Sequence, residues 1–313
     1  MKRLMYKART EYLFHSHIKI KIPDNYEDKI FDELFGIMEQ VDKKYNSYSE
    51  FSYFDLINKN AGKYTDVDSI TIEILEAARK YSDFFDGVYD ITVMPLIRLW
   101  GFYREKRRTV PSLHEIEKAK KKTDYKNIEI DPVNLKVRSG SGQEIITGSF
   151  LKAFAVDKAA VRLAELGIDN AVINAGGSSI RCFNNDIKKE WTISVSDPDE
   201  SQRDLFDLKL QNKAYSTSAM GGSFVKINNK KYGHIINPVT GYPSENKAVG
   251  LITEEGFIGD ILSAGFFNCE PERFLQLMKI LKRDMYIEGF LMDKAGKIHY
   301  SDCFEKHIIK YEI

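Results

Sequence analysis

A chain of 313 residues is long enough to bury a large core, as one domain or two. Its 46 basic and 46 acidic side chains cancel, so no overall field draws it to nucleic acid or to an anionic membrane. Hydrophobic residues make up 43%, and no apolar run approaches the length of a membrane span.

Three cysteines, Cys182, Cys269 and Cys303, cannot all pair and match no zinc spacing. Met1-Lys2-Arg3-Leu4-Met5-Tyr6-Lys7 has a leader's charge without the apolar stretch behind it. These features predict a cytoplasmic protein, unless a leader has been removed.

His17 to Ile22 alternates with period two and predicts a half-buried strand ending at Pro23. Asn25 is placed to cap a helix with the apolar stripe Ile30, Phe31, Leu34, Phe35, Ile37, Met38 and Val41. Tyr45 to Phe54 is polar and aromatic and leads into a turn at Asn58-Lys59-Asn60-Ala61-Gly62, and a second helix spans Ile70 to Tyr81. After Gly87, the segment Val88 to Phe102 crowds Tyr89, Trp100 and Phe102 around Pro95 and Gly101. An aromatic core loop is the commoner outcome for such a segment; a wall for a planar ring is the functional one.

Ser112-Leu113-His114-Glu115 is a capping box opening a short charged helix, and Lys118 to Lys122 reads as its solvated face. Asn127 to Ile130 and Leu135 to Arg138 flank a turn. Thr147-Gly148-Ser149 then enters a helix that runs to Leu166 and stops at Gly167, with Lys152 near its N-terminal end. A helix start can hold an anion, and the helix dipole disfavours a merely structural lysine there; a capped core helix with a surface lysine is the plainer reading. The strand Asn170 to Ile173 ends in Asn174-Ala175-Gly176-Gly177-Ser178, where paired glycines fit either a close approach or a tight turn.

Further strands are predicted at Trp191 to Val195, Leu205 to Leu210 and Ala214 to Thr217, with a hairpin about Asn228-Asn229 leading to His234. Helices follow from about Ile258 through Phe267, with Asp260 in the first turn, and from Pro271 to Lys282; a last hairpin turns at Asp293 to Gly296. No repeat or flexible linker interrupts the chain, and strands and helices mix without regular βαβ alternation, which argues for α+β. There is no Walker A pattern, no GxGxxG and no GxSxG elbow. Taken singly, His234 fits a satisfied core histidine and Asp260 a favourable helix-start charge.

The succession of motifs says more. D-x-T-V-x-P-L at Asp90, L-W-G-F at Leu99, G-x-x-x-K-x-x-A-V-D at Gly148, N-x-G-G at Asn174, Trp191 with Asp197-Pro198, Thr217-Ser218, and H-I-I-N-P-x-T-G at His234 precede a helix with an early Asp260. This order resembles the ApbE family of FAD:protein FMN transferases, from about Tyr48 through Ser301. The resemblance implies one domain over residues 1–313. It implies an α+β, T-fold-like arrangement of mixed sheets and helices in two intertwined subdomains around a flavin cleft.

It also implies a reaction: FAD is cleaved with Mg2+, FMN is joined by a phosphodiester to a threonine of an acceptor protein, and AMP is released. Carried over by motif, Val88, Tyr89, Asp90, Ser149, Lys152, Gly176, Gly177, Thr217, Ser218 and His234 would contact the flavin nucleotide. Ser149 through its carbonyl, Asp260 and the position of Ala264 would face the metal, and His234 would assist proton transfer. Ala8-Arg9-Thr10 would stand for the family's Met-Gly-Thr. Departures gather at the site: Ile146 and Asn237 where aspartates are usual, Ala264 where a threonine is, and Ala219-Met220 in place of Gly-Asp. One residue turns a helical side chain by about 100°, so Ser263 is not expected to replace the missing threonine. These changes predict weakened magnesium binding and leave a second reading open, a relative that binds flavin, another nucleotide or a protein partner without transfer.

Overall fold

A computed structural model describes residues 5–102, 107–200, 202–221 and 223–309; Met1-Lys2-Arg3-Leu4 of the charged start lies outside them. An eight-stranded sheet organises the chain. Its strands, in spatial order, are Tyr6–Leu13, Ser16–Pro23, Ala171–Ala175, Ser179–Phe183, Ala214–Ala219, Ala248–Thr253, Ile287–Met292 and Ile298–Tyr300. Every neighbouring pair is antiparallel.

The period of two sorts side chains onto two faces, both covered at the central strand Ala248–Thr253 and only one at Ser16–Pro23. Val249, Leu251 and Leu291 join one core with Ile18, Ile20 and Ile22, packed by the helices Lys29–Tyr45, Ser69–Phe84, Leu151–Glu165 and Gly256–Phe267. Ala248, Ile252 and Phe290 point the other way, into a core closed by the ribbon Trp191–Ser196 with Asp204–Leu210. A third cluster joins the helices Met94–Leu99 and Leu113–Lys120 to the hairpin Phe224–Ile227 with Lys230–Gly233. Among the described residues no helix is long and apolar enough to cross a membrane, and the three cysteines are free thiols.

Several boundaries differ from expectation. The first helix starts at Lys29 behind Asp28, with no side-chain cap; Asn25 lies in the preceding turn, and Lys7 of the edge strand takes the Asp28 carboxylate. Ser52 caps an unforeseen helix, Tyr53–Lys59, through the Asp55 N–H. The edge strand Tyr6–Leu13 and the central strand Ala248–Thr253 are further additions. The helix carrying Asp260 begins at Gly256, which puts that carboxylate in the second turn rather than the first.

Candidate active site

Two helices and the loops they pin together build the site. Leu151–Glu165 starts after the turn Thr147-Gly148-Ser149, where the Thr147 carbonyl accepts from Phe150 N at 3.2 Å and Leu151 N at 2.9 Å. Phe150 at its N-cap offers no side-chain cap, and Lys152 is the second helical residue. The other helix, Gly256–Phe267, lies close on the sheet at Gly259, where a Cβ would stand 2.6 Å from Ser216 Oγ and 2.7 Å from Thr253 Oγ1. At its C-terminal end Ser244 Oγ and Asn246 Nδ2 donate to the Phe267 carbonyl, satisfying a group the helix leaves open.

Between the helices lies a cleft of about 530 Å³. Val88, Tyr89, Asp90, Ser149, Lys152, Gly176, Thr217, Ser218, His234, Asp260 and Ala264 all line it. Gly177 does not: its N–H closes the hairpin turn onto Asn174 Oδ1 at 2.8 Å. Gly176 has φ +66°, and a Cβ there would meet Ser16 Oγ at 1.9 Å, so the turn and the close approach both require glycine. Tyr89 is the member of the aromatic trio on the cleft wall. Trp100 is buried in the third cluster with Nε1 donating to the Gly241 carbonyl, and Phe102 packs edge-on to His234 at 6.3 Å.

The polar groups divide into engaged and available ones. Asp90 is fully engaged: Oδ1 accepts from Thr92 N and Oγ1, each at 2.7 Å, and Oδ2 from Tyr125 N at 2.9 Å. Burial still pushes its carboxyl up to about 6. Thr217 Oγ1 donates across the sheet to the Val249 carbonyl. Asp260 accepts from Ser179 Oγ at 2.8 Å through Oδ2, while Oδ1 is buried with no partner among the described residues. Burial pushes the Asp260 carboxyl up to about 7, against the opposing pull of Ser216, Lys152 and Ser179.

Lys152 Nζ donates to Ser178 Oγ at 2.5 Å; burial lowers its pKa, and the Asp260 charge works the other way. His234 is held below its ordinary value by burial. Its Nδ1 faces the Ser223 carbonyl at 3.3 Å, an acceptor only, so Nδ1 carries the hydrogen and Nε2 keeps its lone pair.

The departures separate by position. Ile146 and Ala264 line the cleft, so the carboxylate and hydroxyl expected from the family pattern would have belonged to this site. Asn237 does not line it. Its Oδ1 accepts from Val239 N and Thr240 N, and it lines a neighbouring cavity of about 700 Å³. Met220 lines that same neighbour. Ser263 lies in the cleft after all, because residues three apart on a helix are only about 60° apart around its axis. Its Oγ donates to the Asp260 carbonyl and meets Ser218 Oγ at 2.8 Å. Ala8-Arg9-Thr10 sits on the edge strand, with Arg9 over the Phe31 ring and paired to Asp32, away from the cleft lining.

Tyr48, Ser178 and Ser263 are cleft residues that the motifs did not single out. The i, i+3 spacing from Asp260 was a usable signal for Ser263. Tyr48 lay in a stretch read only as polar and aromatic, and Ser178 gains its role from Lys152, 26 positions away.

Known proteins resemble the chain in sequence and in fold. The FAD:protein FMN transferase of Haemophilus influenzae is 24% identical over 261 residues, covering 80% of this chain and 75% of the relative. A Buchnera aphidicola protein of the same name is 25% identical, covering 87% and 81%. The crystal structure of the ApbE protein of Thermotoga maritima superposes with a TM-score of 0.87 at 26% identity, over 98% of this chain and 100% of that one. Flavin transferase ApbE from Vibrio cholerae, at 22% identity and 0.83 over 97% and 100%, shares the fold. The ApbE family profile matches residues 14–287, a range that leaves out Ala8-Arg9-Thr10; by that match, spanning most of its length, the chain belongs to the ApbE family.

Proposed function

We propose that this protein transfers the FMN moiety of FAD to a threonine of an acceptor protein, acting as one unit over residues 1–313. The observation that carries the reading is the meeting of Lys152, Asp260 and His234, from three separate segments, in one cleft walled by Val88 and Tyr89. Relatives named FAD:protein FMN transferase across most of the chain support it.

In this reading the acceptor hydroxyl oxygen forms a bond to the phosphorus on the FMN side of the pyrophosphate, and the bond to the AMP oxygen breaks. Lys152 binds the phosphates from the helix start, where the backbone dipole also favours an anion. His234, neutral near pH 7 and with Nε2 unprotonated, takes the hydroxyl proton. Tyr89 and the apolar lining exclude water from the ring.

Asp260, with its unpartnered oxygen, and the Ser149 carbonyl fit a magnesium ion, which commonly takes one or two carboxylates and completes its shell with water and phosphate. When bound, the ion would offset charge on the pyrophosphate. Among the described residues no three His, Cys, Asp or Glu side chains gather for a metal, so hydroxyls, carbonyls, water and substrate would have to supply the remaining oxygens.

Ile146 and Ala264 favour a second reading, flavin binding without transfer. Titration with FAD, with and without magnesium, followed by AMP detection separates the two. Transfer requires AMP release and a flavin-labelled acceptor, and His234→Ala should retain FAD affinity while losing about 10²- to 10⁴-fold in rate. Tight FAD binding with no AMP supports the second reading; no FAD binding in either condition overturns both.

A further inference from the structure

Asn268 ends the helix Gly256–Phe267 and, among the described residues, is the one that lines both the cleft and the neighbouring cavity. Its Nδ2 donates to the Val88 carbonyl at 2.9 Å and to the Ile236 carbonyl at 3.3 Å. Both partners can only accept, which fixes the amide orientation. The other amide atom, Oδ1, is then left buried with no partner among the described residues. A buried orphan acceptor costs free energy that a leucine of similar volume would not. A polar side chain kept at such a cost is a local rule broken, which is where functional constraint is expected.

What the amide does and an apolar group would not is hold together two carbonyls from separate segments of the cleft lining. Val88 leads directly into Tyr89 and Asp90, and Ile236 lies two residues after His234. We infer that Asn268 is a positioning residue, whose side-chain amide sets the distance between the Val88 wall and the His234 segment and so the width of the cleft. The inference rests on the flavin reading only for the identity of the ligand.

Asn246 supplies an internal control. Its Nδ2 also makes two hydrogen bonds at the same helix end, to the Phe267 carbonyl at 3.0 Å and the Cys269 carbonyl at 2.7 Å. It lines the neighbouring cavity and is absent from the cleft lining. Asn268→Leu and Asn246→Leu therefore remove comparable bonding, but only the first releases the two segments.

The experiment compares the two variants by thermal melting, by FAD affinity from flavin absorbance and fluorescence, and by NMR of the His234 imidazole in ligand-free protein. Asn268→Leu is expected to weaken FAD binding roughly tenfold, change the bound-flavin spectrum and move the imidazole resonances. Asn246→Leu should lower the melting temperature alone. Equal effects of the two variants on affinity and on the imidazole, or none from Asn268→Leu, would overturn the inference. If the wild-type protein does not bind FAD, the flavin reading fails, and the imidazole resonances still decide whether Asn268 positions the wall.

Discussion

The Asp157 carboxylate accepts the backbone N–H of Phe257 at 2.7 Å and, through its other oxygen, that of Gly256 at 3.1 Å. The helix that presents Lys152 thus caps the helix that presents Asp260. Replacing Asp157 by alanine leaves two first-turn donors open and should cost about 1–3 kcal/mol in urea unfolding. Asparagine keeps one acceptor and should lose less. Burial pushes the Asp157 carboxyl up to about 6, so between its unfolded value near 3.8 and 6 the native state holds a proton that the unfolded state has released. The contribution of this group to stability therefore falls as pH rises through that window, by at most about 1.4 kcal/mol per pH unit. Wild type should lose stability relative to Asp157→Asn across the same interval; a flat difference would contradict the assignment.

If the proposed magnesium site is right, Asp260 should set a pH dependence for cation binding. With its carboxyl at about 7 in cation-free protein, binding must displace a proton below that pH. Magnesium affinity measured by calorimetry should fall by up to about tenfold per pH unit below 7 and level off above it. Asp260→Asn should remove both the affinity and the slope.

Ala264→Thr restores a hydroxyl at i+4 from Asp260, on the same helix face. Magnesium should then bind more tightly, by about tenfold, with little change in melting temperature. An unchanged affinity would mean that the Ser218–Ser263 pair or water already fills that place.

Lys152→Met keeps most of the side chain's length and deletes its charge. FAD should bind about 10- to 100-fold more weakly, the worth of a charge-assisted hydrogen bond. Because Lys152 holds the Asp260 carboxyl down, the variant should also shift the onset of cation binding to higher pH. Loss of FAD affinity without that shift would separate the two residues.

Much of the fold was legible where one physical signal dominated. Ser112 caps its helix through Glu115 N and receives Glu115 in return, as its motif implied. The alternation at Ile18, Ile20 and Ile22 marks the buried face of a real strand. Ala248–Thr253 escaped because both its faces are covered, which erases alternation. Tyr6–Leu13 escaped for the opposite reason: at the sheet edge its residues stay polar and half-exposed. In the site, motif order located the cleft but not the direction of single polar groups. Asn237 and Gly177 turn into their own loops, and Ser263 turns inward, through hydrogen bonds that no local spacing specifies.

The register of the second strand has a consequence for biosynthesis. Ile18 and Ile20 stand opposite Ala175 and Ile173, across a loop of some 150 residues whose closure is entropically slow. Until Ala175 has left the ribosome, the strand Ser16–Pro23 has no neighbour on that side, and its backbone N–H and C=O groups form an unpaired nascent edge. Chains truncated before that point should aggregate or recruit chaperones, and full-length chains should acquire protease resistance only once the third strand is available to close the sheet.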